Sequence, residues 1–202
     1  MKRKIILAST SPRRKELAGQ MGLEFEVIPS NYEENMNQNL SSKELAKTLA
    51  YGKAKEVATR VNKGIVIGID TFVVLEGKKM GKPKNKEEAF LMLKKTSGKT
   101  QKVYSGVAMI DCENGKELKD CAITELKFRK MSDEEIKKYI ETGEPMDKAG
   151  AYAVQGLSSI FIEKINGCYH NIVGFPIYTI YKNLKKLGVN IFEYEKWKMK
   201  GD

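Results

Sequence analysis

Histidine, cysteine and long apolar runs are scarce in this chain of 202 residues. Its one histidine, His170, has no second histidine with which to form a metal cluster, and no Ser-His-Asp arrangement can be built on it. The three cysteines, Cys112, Cys121 and Cys168, fit neither a zinc pattern nor a disulfide framework. No apolar run approaches the roughly 18 residues that cross a membrane, and IILA is too short for a signal peptide. We therefore expect a cytoplasmic protein with no membrane partner.

Two glycine-rich nucleotide motifs are also missing. The chain has no GxxxxGK[ST] phosphate loop and no GxGxxG after a strand. Classical P-loop and Rossmann architectures are therefore disfavoured. Any nucleotide site must be built from other residues.

The charge is strongly positive, with a net charge of +10 and a pI near 9.3. Such a balance suits anionic partners such as nucleotides, nucleic acids or acidic lipids. However, lysines and glutamates are interleaved, and no long basic tract is present. No dedicated nucleic-acid binding is expected, although a nucleic-acid binder remains an alternative that steep salt dependence would reveal.

The order of patterns indicates the fold class. Hydrophobic residues make up 41% of the chain, which is enough for a core at this length. Predicted strands and helices interleave, with hairpins among them, such as the one at Asn114-Gly115. This order predicts an α/β or α+β architecture with a mixed sheet. We expect one domain over residues 1–190 and a C-terminal tail over 191–202.

The segment Ile5–Leu17 is predicted to form a strand, a polar turn and a helix. Pro12 suits the first helical position, and Ser11 the N-cap before it. A helix N-terminus attracts anions, and Arg13 and Arg14 add two guanidinium groups that match phosphate geometry. The segment therefore predicts a phosphate site. The alternative is an ordinary capped helix with solvated arginines.

A second apolar strand is predicted over Gly64–Asp70, ending on a carboxylate. Ligands collect at the carboxyl ends of strands in open α/β sheets, so Asp70 is a candidate to bind Mg²⁺ or orient a water. Thr71 follows it with a hydroxyl group. The alternative is that Asp70 caps a turn or pairs with a lysine.

Four loop residues are weaker candidates. Glu33 and Glu34 would supply carboxylates to a metal, although a solvated acidic loop explains the pair as well. Lys82 would contact a phosphate, and Gln155 would hydrogen-bond a base edge. Taken alone, the glutamate pair and Lys82 are better explained as exposed side chains, and nothing in the sequence demands this role for Gln155.

Together these motifs resemble the Maf family of nucleoside triphosphate pyrophosphatases. The resemblance extends from residue 5 to about residue 187, in order, and it is specific only as a set. The matching motifs are SxSPRR at Ser9–Arg14, EE at Glu33-Glu34, KA at Lys53-Ala54, GxDT at Gly68–Thr71, GKP at Gly81–Pro83, SGKT at Ser97–Thr100, EPMDKAGAY at Glu144–Tyr152, QG at Gln155-Gly156 and VGFP at Val173–Pro176.

The resemblance implies an inosine-triphosphatase-like α/β fold, with a long curved mixed sheet, flanking helices and a cleft between two lobes. It implies hydrolysis of a nucleoside triphosphate to the monophosphate and pyrophosphate with a divalent cation, Mg²⁺ or Mn²⁺. The implied residues are Asp70 as catalytic base, Glu34 and Asp70 for the metal, Ser9, Arg14, Lys53 and Lys82 near the phosphates, and Arg13, Thr71 and Gln155 for selection of dTTP and UTP.

Two positions depart from the family pattern, Ile69 where alanine is usual and Val154 where isoleucine is frequent. Both are apolar exchanges that should alter packing more than chemistry. The family also contains a 7-methyl-GTP branch and has been linked to arrest of septum formation, so a regulator with little turnover is an alternative. A homodimer is an expectation at the level of the family.

Overall fold

A computed structural model describes residues 2–194. Within this range the helices are α1 (Pro12–Gln20), α2 (Ser42–Ala58), α3 (Lys86–Thr96), α4 (Asp133–Glu141), α5 (Tyr169–Val173) and α6 (Ile177–Lys186). The strands are β1 (Ile5–Leu7), β2 (Phe25–Val27), β3 (Ile65–Leu75), β4 (Lys78–Met80), β5 (Thr100–Asp111), β6 (Glu117–Phe128) and β7 (Ile162–Asn166). Residues 195–202 of the predicted tail lie outside the described residues.

The seven strands of the described chain belong to one mixed sheet. Their order is β2-β1-β3-β5-β6-β7, and β4 pairs with β3 outside this path. Strand β1 is parallel to both β2 and β3, whereas β4 and β7 are antiparallel to their partners. The predicted α/β class, with a mixed sheet and flanking helices, is confirmed.

The chain divides into two compact units, each built from separate segments. The first comprises the described parts of Met1–Thr71, Ser105–Ala122 and Gly174–Asp202, and the second comprises Phe72–Tyr104 and Ile123–Val173. Each unit has a core of its own. Ala50, Ala54 and Val66 lie in the core of the first, and Leu93, Phe128 and Tyr139 in that of the second. A single domain over residues 1–190 stays a prediction.

Helix α1 begins as the sequence predicts, with Ser11 at the N-cap and Pro12 at the first helical position. The Ser11 side chain makes no capping hydrogen bond. Instead, its backbone N–H donates to Oγ of Ser9 at 3.2 Å. The turn after β1 is therefore closed by Ser9, and the anion-attracting helix N-terminus follows it directly.

The prediction that a strand ends on Asp70 is wrong in one respect. Strand β3 continues to Leu75, so Asp70 lies in its middle. The parallel pairing of β1 with β3, however, ends where Leu7 meets Ile67. Asp70 thus lies three residues past the carboxyl end of β1. The β-branched Thr71 and the apolar residues after it let the strand continue, because β-branched and aromatic side chains favour extended backbone.

Helix α5 was not predicted from the sequence, since its five residues are too few to show a helical period. None of the helices between residues 2 and 194 has the length and apolar character needed to cross a membrane.

Candidate active site

Helix α2 lies unusually close to the sheet because two glycines face it. A Cβ on Gly68 of β3 would lie 2.2 Å from the carbonyl oxygen of Ala50. A Cβ on Gly106 of β5 would lie 1.8 Å from the carbonyl oxygen of Ala46. Side chains larger than hydrogen would therefore push the helix away from the strands. This close packing places the Lys53 side chain of α2 next to β3.

Lys53 joins two carboxylates. Its Nζ lies 2.6 Å from Oδ1 of Asp70 and 2.6 Å from Oε1 of Glu34. The Asp70 side chain is 7% exposed and the Lys53 side chain 13%, while Glu34 is more open to solvent at 42%. A nearly buried carboxylate needs such a partner, because an unpaired buried charge is strongly destabilising. Glu34 and Asp70, distant in sequence, thus converge on one cation position.

The loop that carries Glu34 is held against α2 by Tyr32. The tyrosine ring lies where a side chain on Gly52 would be, since a Cβ there would come within 2.3 Å of the ring. The backbone N–H of Asn31 also donates to the Glu56 carboxylate at 2.9 Å. These contacts bring the acidic loop to the helix that bears Lys53. They explain why Glu34 reaches the ammonium group.

Arg14 binds backbone and hydroxyl oxygens from three segments of the first unit. Its Nε donates to the carbonyl of Gly174 at 3.0 Å, and Nη1 donates to the carbonyl of Ile69 at 2.9 Å. Nη1 also lies 3.3 Å from Oγ of Ser9, and Nη2 lies 3.5 Å from Oγ1 of Thr71. The guanidinium fork thus connects the turn after β1 to β3 and to the start of the 174–176 segment. The donors that the sequence assigns to phosphate are bound to the chain itself.

The two adjacent arginines differ in environment. Arg14 is half-buried, whereas Arg13 is exposed. Burial lowers the pKa of the Arg14 guanidinium below its ordinary value, while the negative charges of Asp70 and Glu34 act in the opposite direction. The positive charge of Arg13 repels the Arg14 guanidinium and also lowers the pKa of Arg14. Of the pair, Arg13 is the one presented to a ligand in solution.

Thr71 is oriented by a residue that the sequence analysis did not single out. Its Oγ1 lies 2.7 Å from Oγ of Ser105 on the adjoining strand β5. Ser105 is buried, and so is Asp70, the neighbour of Thr71. The Thr71 hydroxyl is therefore held between Ser105 on one strand and Arg14 on the first helix.

Lys82 and Gln155, the remaining candidates, belong to the second unit. Both side chains are exposed. The loop of Lys82 is joined to the DKAG segment by a hydrogen bond of 2.9 Å from the N–H of Gly150 to the carbonyl of Gly81. Gly150 has a φ of +79°, a value that favours glycine. Lys82 and the segment leading to Gln155 are thus parts of one local structure.

A divalent cation suits the pair of Glu34 and Asp70. Their carboxylate oxygens already share one cationic partner, the ammonium of Lys53. Mg²⁺ commonly takes one or two protein carboxylates and completes its shell with water and substrate phosphates. Among residues 2–194, no group of three or more histidine, cysteine, aspartate or glutamate side chains is arranged to hold a metal ion. The candidate donors at this position are therefore the two carboxylates that contact Lys53.

With this geometry established, comparison with known proteins assigns the family. Residues 4–187 match the family described as Maf-like protein. The chain belongs to the Maf family. The resemblance drawn from the sequence motifs is therefore confirmed, and the matched residues span nearly the whole length of this Maf chain.

Relatives in the Maf family share about half of their residues with the chain. The chain is 50% identical over 189 residues to a protein of Desulforamulus reducens named dTTP/UTP pyrophosphatase, covering 94% of this chain and 99% of that protein. It is 51% identical over 179 residues to a protein of the same name from Alkaliphilus oremlandii, covering 88% and 93%. Among solved structures, the Ham1 protein of Staphylococcus aureus is similar in fold, with a TM-score of 0.52 over 92% of this chain and all of that chain, at 15% identity.

The structure brings six of the predicted site residues together in the first unit of this Maf chain, namely Ser9, Arg14, Glu34, Lys53, Asp70 and Thr71. Sequence reasoning missed the residues that hold them. Tyr32, Gly52 and Ser105 make tertiary contacts for which no local pattern gives a signal. Gly68 had a usable signal, since an isolated glycine within a strand often marks a close backbone approach.

Proposed function

We propose that this chain hydrolyses nucleoside triphosphates, with dTTP and UTP preferred, to the nucleoside monophosphate and pyrophosphate. The observation that carries the proposal is the buried Asp70, held by Lys53 beside the turn that follows β1. Membership of the Maf family and half-identical relatives named dTTP/UTP pyrophosphatase support the same conclusion. A charged, positioned cluster is what phosphoryl transfer requires, because positioning and electrostatic stabilisation carry most of that catalysis.

The phosphates would lie at the turn Ser9–Arg14. The N-terminus of α1 offers backbone N–H groups and partial positive charge. Lys53 and Lys82 would neutralise phosphate charge. Arg14, whose donors already bind carbonyl groups, would act there mainly through its charge and by holding the turn in place.

Asp70 would act as the general base. Its carboxylate would take a proton from a water molecule, and the resulting hydroxide would attack one phosphorus atom of the α-β anhydride. The bond between that phosphorus and the bridging oxygen would then break, which yields the monophosphate and pyrophosphate. Lys53, whose Nζ lies 2.6 Å from Oδ1 of Asp70, would orient this carboxylate.

Glu34 and Asp70 would hold the divalent cation, Mg²⁺ or Mn²⁺. When bound, such an ion supplies positive charge that neutralises phosphate oxygens. Lys53 contacts the same two carboxylates.

Three residues would select the substrate. Thr71 and Gln155 would hydrogen-bond the pyrimidine base and its surroundings, and exposed Arg13 would distinguish among triphosphates. Contacts with Ser105 and Arg14 hold the Thr71 hydroxyl in place. A cytoplasmic location and a homodimer stay predictions.

A panel of nucleoside triphosphates tests this function. The purified chain is incubated with Mg²⁺ or Mn²⁺ and dTTP, UTP, dCTP, dATP, GTP or 7-methyl-GTP, and both the monophosphate and pyrophosphate are quantified. We expect kcat/KM to be highest for dTTP and UTP. Preference for 7-methyl-GTP would place the chain in the other branch, and absence of turnover on every nucleotide would refute the enzymatic function.

A further inference from the structure

The carboxylate of Glu144 is bound by the residues that follow Gln155 in the chain. Its Oε2 accepts a hydrogen bond from the backbone N–H of Leu157 at 2.9 Å. Its Oε1 accepts one from the N–H of Ser158 at 3.2 Å and one from the hydroxyl of Tyr139 at 2.8 Å. One side chain thus binds the two backbone N–H groups that follow Gln155-Gly156.

Gln155 itself lies in a closed turn. The N–H of Gly156 donates to the carbonyl of Ala153 at 2.9 Å. The hydroxyl of Ser158 both donates to the carbonyl of Ala153, at 2.7 Å, and accepts from its N–H, at 3.0 Å. Ser158 is buried, whereas Gln155 is exposed. The backbone on either side of Gln155 is therefore fixed while its side chain remains available.

Gly156 leaves room for the Glu144 carboxylate. A Cβ on Gly156 would lie 2.2 Å from Oε2 and 2.4 Å from Cδ of Glu144. The carboxylate therefore occupies the space that any other residue at this position would fill. The turn rests directly on Glu144, with no side chain between them.

Tyr139 also holds the Glu144 carboxylate, because its hydroxyl donates to the same Oε1 as the N–H of Ser158. This tyrosine of α4 is buried, and its ring packs edge-on against Phe161 at a centroid distance of 5.4 Å. Burial raises the pKa of Glu144, but the hydrogen bonds from Leu157, Tyr139 and Ser158 outweigh it, and the net pKa lies below its ordinary value. The group is thus a carboxylate at neutral pH, and its hydrogen bonds are of the stronger, charge-assisted kind.

We propose that Glu144 is a positioning residue for Gln155: it fixes the turn from which that amide reads the nucleotide base. The inference rests on the proposed function, because it takes Gln155 to be a base-reading residue. Glutamine in place of Glu144 keeps the size but replaces one acceptor oxygen by an NH₂ group, which would oppose the N–H donors of the turn. The side chain of Gln155 would then lose its fixed position, while the reacting groups would keep theirs.

A double-mutant cycle tests this. Glu144→Gln, Gln155→Ala and the double variant are compared, with Glu141→Gln as a control that makes the same chemical change at an exposed position of α4. We expect Glu144→Gln to lower kcat/KM for dTTP by roughly tenfold, mainly through KM, as befits lost charge-assisted hydrogen bonds. In the Gln155→Ala background, Glu144→Gln should lower kcat/KM for dTTP by less than about twofold, because the effects of coupled residues are not additive. Equal losses in both backgrounds would overturn the inference.

Amide hydrogen exchange gives a readout that needs no turnover. In Glu144→Gln, the amides of Leu157 and Ser158 should exchange faster than in Glu141→Gln, while the core strands keep their protection. Unchanged exchange at these amides would overturn the inference even if activity fell. If the wild-type chain hydrolysed no pyrimidine triphosphate, the proposed function would fail, and exchange would still decide whether Glu144 holds the turn.

Discussion

The substitution Gly68→Ala tests whether close packing of α2 on β3 builds the site. The new Cβ would lie 2.2 Å from the carbonyl oxygen of Ala50, 2.7 Å from the nitrogen of Ala54 and 2.9 Å from its Cβ. Real Cβ contacts stay beyond 3.0 Å, so the difference between 3.0 and 2.2 Å requires the helix to move by at least about 0.8 Å. The contacts are mostly with backbone, which cannot rotate away as a side chain would.

We expect Gly68→Ala to lower both the free energy of unfolding and the activity. Overpacking of this kind costs about 1–3 kcal/mol of the free energy of unfolding. For a chain of this length, that corresponds to a melting temperature lower by roughly 2–12 °C. Lys53 moves with the helix, away from Asp70. Because a misplacement near 1 Å can cost about a hundredfold in rate, we expect kcat/KM to fall by roughly 10- to 100-fold.

The assay measures the melting temperature and the release of pyrophosphate from dTTP. Gly19→Ala is the matched control, because a Cβ on Gly19 of α1 meets nothing within 4 Å. Alanine there should stabilise the helix by up to about 1 kcal/mol and leave turnover unchanged. If Gly68→Ala melted and reacted like Gly19→Ala, the packing argument would be refuted.

Three further substitutions follow from the site and the core. Asp70→Asn should reduce pyrophosphate release to background, since an amide cannot accept the proton from water. Arg14→Lys should lower kcat/KM by about tenfold or more, because a lysine keeps the charge but cannot donate to the Ile69 carbonyl and Thr71 in the same way. Asp111→Asn should lower the melting temperature at pH 7. Burial raises the pKa of Asp111, but hydrogen bonds led by that from Arg3 outweigh it and hold the pKa below its ordinary value. Its stabilisation is therefore present above about pH 4 and is lost as the pH falls through the folded pKa.

Each of these expectations can fail. Pyrophosphate release by Asp70→Asn at near the wild-type rate would refute the role of the base. An Arg14→Lys variant with wild-type kinetics would show that the carbonyl contacts are dispensable. Thermal melts at pH 7 and pH 3 should show the gap between wild type and Asp111→Asn closing in acid, and a constant gap would contradict the assignment.

Local patterns were sufficient for the elements that flank the site. The apolar run of β1 and the helix start at Ser11-Pro12 depend only on residues that are close in sequence, and each lies where predicted. The charged candidates Lys53 and Asp70 were identified by their motifs. Their 2.6 Å contact could not be read from the sequence, because it depends on the distance between α2 and β3.

The hydrogen-bond partners of Arg14 could not be predicted from a sequence motif. Its position beside a helix N-terminus indicated a phosphate ligand, yet its donors bind the carbonyls of Ile69 and Gly174. Those carbonyls lie 55 and 160 residues away along the chain. Hydrogen bonds between such distant segments follow from the tertiary fold, and no spacing rule predicts them.

Product analysis of dTTP hydrolysis tests the central claim most directly. The wild-type chain is incubated with dTTP and Mg²⁺, and the products are separated by anion-exchange chromatography. The proposed function predicts dTMP and pyrophosphate in equal amounts. Formation of dTDP and inorganic phosphate, or intact dTTP after prolonged incubation with either Mg²⁺ or Mn²⁺, would contradict it.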